Sequence, residues 1–165
     1  MTAERDEQQK LSEIVGRFGT AMLVTTSEDD MIRARPMRIA ELCDDGEMWF
    51  LTSRESTQAE DLTEDIRAAI TLQGEGRYAS LSGMASVIRE RERLIELWSP
   101  AAKAWFPDGL DDPELVAIRF VPIEGAYWDT SGTKGLRYLL KMAKAIVTGE
   151  RLDEGSSERH ARVSS

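Results

Sequence analysis

The sequence predicts an α+β protein built around a six-stranded antiparallel barrel with helices at its periphery. Three observations carry that prediction. Six segments rich in β-branched, aromatic and aliphatic residues are separated by short turn clusters. A helix-period stretch crosses in the middle of the strand series, and further helical patterns lie towards the two ends of the chain. Neither internal repeats nor low-complexity stretches interrupt the series.

Taken in order, Leu11, Ile14, Val15 and Phe18 recur at helical spacing and form one apolar stripe ended by Gly19. TAMLVTT (20–26) reads as a buried strand, and the SEDD cluster as a turn into MIRARPMRIAEL (31–42). In that second strand Ile32 and Ala34 alternate with Arg33 and Arg35, and Pro36 interrupts it, which suggests an edge, a bulge or a place where a ligand meets the backbone. CDDGE supplies a hairpin turn before the third strand, EMWFLTS. Ser56 is placed to cap a helix running through Ala59, Leu62 and Ile66.

AAITLQ and YASLSGMASVI make the fourth and fifth strands around a Gly74 to Gly76 turn, with Gly83 marking a bend. RERLIELW is helical, Pro100 starts a short helix through Trp105, and PDG at 107–109 turns the chain. ELVAIRFVPIEGAYWD is the last long strand, with Pro122 forcing a break or bulge within it. A helix over 133–147 carries Lys134, Arg137, Lys141 and Lys144 beside an apolar stripe.

At 165 residues and 41% apolar content the chain suffices for one sizeable core. We therefore expect one domain over 1–149 and a polar, disordered tail over 150–165. The net charge of −9 argues against a general nucleic-acid binder, since phosphate backbones call for clustered cations. Cys43 is solitary and no Cys and His cluster can hold a metal, which favours a reducing compartment. No stretch approaches the roughly 20 apolar residues of a membrane span, and the charged opening MTAERDEQQK is unlike a signal peptide. A soluble, cytoplasmic protein is expected. The segments around Trp98, Trp105 and Trp128 fall outside any obvious single-chain core, so a homodimer interface is expected to cover them.

Dinucleotide fingerprints, phosphate loops and serine–histidine pairs are absent, and His160 lies in the polar tail. Four stretches instead recur in a familiar order: RPM at 35–37, WFLTSRESTQ at 49–58, LSG at 81–83, and WSPAAKAWFPDG with AYWD at 98–109 and 126–129. Over roughly residues 9 to 145 they resemble the general-stress branch of the pyridoxamine 5′-phosphate oxidase-like proteins, whose fold is the FMN-binding split β-barrel.

That resemblance implies a flavin mononucleotide cofactor and a dimer with cofactor sites at the interface. It assigns Arg35 to the phosphate, with Pro36 and Met37 approaching the ring. Thr52, Ser53 and Ser56, where a strand ends and a helix begins, then offer hydroxyls and backbone N–H groups to an anion. The family usually places a phosphate-binding lysine where this chain has Gln58, after the residue matching Thr57; its loss implies modest flavin affinity. Tyr78 matches a cofactor-facing position, and Trp105 is a candidate to cover the ring from the partner subunit. The Arg-x-His substrate motif is replaced by Lys134, Gly135 and Leu136, which argues against pyridoxamine-phosphate oxidase activity.

These residues leave three functional readings: an FMN-dependent oxidoreductase of unread substrate, a non-catalytic flavin-binding or cofactor-free dimeric stress protein, and a deazaflavin-dependent reductase.

Overall fold

The computed structural model describes residues 9–10, 13–130 and 163–164. Its strands are β1 (Thr20–Thr26), β2 (Ile32–Leu42), β3 (Met48–Ser53), β4 (Arg67–Gly74), β5 (Arg77–Ile88), β6 (Leu115–Asp129) and the short β7 (Val163–Ser164). Helix α1 spans Thr57–Glu64 and α2 spans Arg91–Leu97, followed by 3₁₀ turns at Pro100–Ala104 and Gly109–Asp111. Residues 9–10 and 13–15 are also helical. The strands follow the order β3-β2-β1-β4-β5-β6-β7, every pair antiparallel, and β3 also pairs with β6, closing six strands into the predicted barrel.

Alternation along each strand fills the barrel. Leu23, Met37, Phe50, Ile70, Leu81, Ile118 and Phe120 point inward, and Ile14, Val15 and Leu62 join them from the helical segments. A second, smaller core lies against the outer side of β3 and β6, where Leu94 and Leu97 of α2 meet Trp49, Phe106, Leu115 and Ala117. Arg93 stacks 4.1 Å from the Trp49 ring centroid and pairs with Glu41 and Glu96, while the indole Nε1 of Trp49 donates to Glu47. Trp98 packs against this second core, so part of the tryptophan surface expected at an interface is covered within one chain.

The turns follow their residues. Glu75 and Gly76 both have positive φ (50° and 75°) in a two-residue connection between β4 and β5, the left-handed pair that matches strand twist. Gly83 lies where the β5–β6 register shifts opposite Pro122, and a Cβ there would lie 2.1 Å from the Val121 carbonyl oxygen. The expected bulge at Pro122 is this feature.

Two boundaries differ from the sequence reading. β2 runs through Pro36 without interruption, Pro36 pairing with Met22. It does so because β3 joins β2 only from Ile39 onward, so Pro36 sits beside an open strand edge that tolerates the missing N–H. α1 ends at Glu64 and excludes Ile66. Asp65 turns extended and accepts bonds from the Arg67 backbone N–H and guanidinium, and the Ile66 carbonyl accepts from Ala85 N–H. The predicted helix over 133–147 lies outside the described residues, as does the tail apart from Val163–Ser164, which pair with Glu124 and Gly125.

Candidate functional site

At one end of the barrel the inward-facing residues change from apolar to polar. β1 presents Thr25 there, β2 presents Arg33 and Arg35, and α1 packs across β1 and β5 with Asp61 facing inward. Thr57 and Asp61 are one helical turn apart on a shared face. Arg35 ties the three elements together: its Nε donates to Thr57 Oγ1 (3.1 Å), Nη1 to Thr25 Oγ1 (2.6 Å) and Nη2 to Asp61 Oδ2 (2.7 Å). Thr25 in turn donates to Asp61 Oδ2 at 2.7 Å.

Asp61 is 5% exposed, and its second oxygen lies 3.5 Å from Nη1 of Arg33. Burial pushes its carboxyl up; hydrogen bonds from Thr25 and Arg35 and the charges of Arg35 and Arg33 outweigh that and hold it below the ordinary carboxylate range. Arg33 is the more accessible guanidinium, its side chain 44% exposed against 17% for Arg35.

The neighbouring start of α1 carries a second group of donors and acceptors. Ser56 caps the helix, its Oγ accepting from Ala59 N–H, and Thr52 donates to Ser56 Oγ at 3.1 Å. Gln58 Nε2 donates to Thr52 Oγ1 (2.8 Å) and contacts the Met37 sulfur (3.6 Å). Arg35 with Thr57, and Met37 with Gln58, Thr52 and Ser56, thus form two bonded sets that adjoin where Ser56, Thr57 and Gln58 follow one another in the chain.

The other predicted residues stand elsewhere in the single chain. Ser53 points to the opposite face of β3 from Thr52; its carbonyl accepts from Ser56 N–H and its hydroxyl from Glu55 N–H, shaping the turn. Pro36 is exposed on the outer face of β2. Tyr78 lies on the outer face of β5 beside Gln73 and Trp128, three strands from β2 in the sheet. Trp105 is 81% exposed, after the 3₁₀ turn beside the second core.

The sequence reading missed Arg33, Thr25 and Asp61 as site residues. Arg33 shares strand parity with Arg35, and Thr57 and Asp61 stand four apart, so both signals were present. What was missing was the β1–β2 register that sets Thr25 opposite Arg33.

The group offers cations, hydroxyls, an amide and a thioether, and so can hold an anionic ester beside an apolar surface. These donors fit a phosphate-bearing cofactor. Among the described residues no group of three or more His, Cys, Asp or Glu is placed to hold a metal ion. Burial and the nearby Glu41, Glu47 and Asp45 push the Cys43 thiol up, the opposite of an activated thiolate. No described helix is long and apolar enough to cross a membrane.

Comparison with known proteins agrees with this fold. A general stress FMN/FAD binding protein from Xanthomonas citri is similar at a TM-score of 0.68 and 26% identity, covering 78% of this chain and 92% of that one. A candidate general stress protein 26 from Jannaschia sp. CCS1 is similar at a TM-score of 0.66 and 29% identity, covering 99% of both chains. The Neurospora crassa protein bli-3 is 28% identical over 140 residues, and the match spans 78% of this chain but 66% of bli-3. The sequence pattern of the pyridoxamine 5′-phosphate oxidase like family matches residues 6–153. A match over most of the chain, on a closed barrel of the expected topology, makes this protein a member of the pyridoxamine 5′-phosphate oxidase-like family.

Proposed function

We propose that this chain is a flavin-binding, general-stress-type protein that acts as an FMN-dependent oxidoreductase, with the flavin phosphate at the junction of β2 and α1. The observation that carries the reading is the bond from Arg35 to Thr57 at the start of α1, which sets a guanidinium beside the helix N-terminus and the hydroxyls of Thr52 and Ser56. Helix N–H groups and guanidinium N–H groups both recognise phosphate oxygens. Met37 meets this group through Gln58 and gives an apolar edge to a flat ring. When bound, a flavin supplies reversible electron transfer. The residues named here bind and orient it.

The reading includes a homodimer. Exposed Ile32, Ala34 and Pro36 line the outer face of β2 next to half-buried Met22 and Val24 of β1, an apolar strip suited to a second copy. In that dimer Tyr78 and Trp105, remote from the cluster in their own chain, are offered to the partner's site. The solitary Cys43 is in keeping with a cytoplasmic protein.

The replacement of the Arg-x-His substrate motif by Lys134, Gly135 and Leu136, together with Gln58 in place of the usual cation, favours a second reading, binding without turnover. Titration with FMN and with a deazaflavin, followed by fluorescence quenching, tests the ligand; steady turnover with a reduced nicotinamide donor and an electron acceptor tests the chemistry. Saturable FMN binding with turnover is expected. FMN binding without turnover supports the second reading, and failure of FMN to bind contradicts both.

A further inference from the structure

Asp61 is the most deeply buried charge of the cluster, and helix packing does not call for it. Ala59 and Leu62 already turn the apolar side of α1 into the barrel, and an apolar side chain often serves a buried position as well as an ion pair does. What the carboxylate does is lie between two like charges, 2.7 Å from Arg35 Nη2 and 3.5 Å from Arg33 Nη1. Two guanidinia and one carboxylate leave a single net positive charge. Gln58, Thr25, Thr52, Ser56 and Thr57 add none. Cancelling one guanidinium from beneath lowers the attraction for each further unit of negative charge that arrives above.

We propose that Asp61 is a specificity-determining residue that tempers the charge of this anion site, weakening its preference for a doubly charged phosphate over a singly charged or neutral group. The proposal rests on the flavin reading for its ligand but on Asp61 and the two arginines for its chemistry. Asparagine at position 61 can still accept from Thr25 and Arg35, so Asp61→Asn removes charge while keeping an acceptor. Arg33→Gln removes one positive charge at the more accessible guanidinium.

The test measures dissociation constants of FMN and riboflavin for the full chain and both variants, each checked for folding by thermal melting. Asp61→Asn should tighten FMN by about tenfold and Arg33→Gln should weaken it by about as much, with riboflavin unmoved by either. A purely structural role would move both ligands together, and that result overturns the proposal, as does Arg33→Gln leaving FMN unchanged. If Asp61→Asn does not fold, Asp61→Thr, which also removes the charge and keeps a hydroxyl acceptor, is read in its place with the same expected and overturning results.

Inorganic phosphate, titrated while the arginine Nε–H resonances are followed, separates the two readings. Phosphate that obeys the same order while no flavin binds keeps the role of Asp61 and sinks the flavin reading. Flavin binding indifferent to both variants does the reverse, and no response to phosphate or flavin in any of the three proteins overturns both.

Discussion

Two residues show how single positions govern this fold and its site. Gly83 packs against β6 so closely that a Cβ would overlap the Val121 carbonyl. Gly83→Ala should therefore destabilise the protein by about 3 kcal/mol, read as a shift in the denaturation midpoint; an unchanged midpoint would mean that the bulge opens freely. Asp61 is the other. Its depressed carboxyl contributes stability that is fully present above about pH 5, erodes as pH falls through the ordinary carboxylate value near 4, and is lost below its folded value. Denaturation at a series of pH values should find wild type more stable than Asp61→Asn at neutral pH, with the gap narrowing below about pH 4. A gap that widens in acid would contradict the ion-pair account. RPM marked Arg35 as a candidate, but nothing local marked its partner Asp61, because a lone carboxylate inside TQAEDLTE looks like any solvated helix residue until β1 and β2 are laid beside it.

Among the elements, α1 matters most to the candidate site, since its start carries Ser56, Thr57 and Gln58 and Asp61 follows one turn after Thr57. The Ser56 cap was readable from sequence because a serine before a helix-period run has a defined backbone partner, here Ala59 N–H. Ser56→Ala should cost about 1 kcal/mol, measured by chemical denaturation, and no loss would show that Thr52 or water takes over the cap. The strands were legible for the same local reason: alternation and turn residues mark them. Their ends were less so. α1 stops before Ile66 because Asp65 and Arg67 bond each other and Ile66 joins the sheet through Ala85, contacts distant in sequence or specific to rotamers. Likewise the second core under α2, which takes up Trp98, depends on the outer faces of β3 and β6 meeting, and no local pattern announces it.

For the whole molecule, closure of β3 onto β6 encloses the apolar inner face, and α1 packs beside the end where Thr25, Arg33 and Arg35 make that face polar. Among the described residues nothing covers the outer face of β2 in this way. Ile32 is 75% exposed beside exposed Ala34 and Pro36, and light scattering should report twice the chain mass. Ile32→Glu should shift that mass towards the monomer, whereas a dimer indifferent to it would place the interface elsewhere. If the junction of β2 and α1 holds a flavin phosphate, as we propose, FMN and riboflavin must respond differently to Gln58→Lys. Returning a cation to the start of α1 should tighten FMN by about tenfold, some 1.4 kcal/mol, and leave riboflavin, which lacks the phosphate, almost unchanged. Equal changes in both ligands would show that this junction does not hold the phosphate.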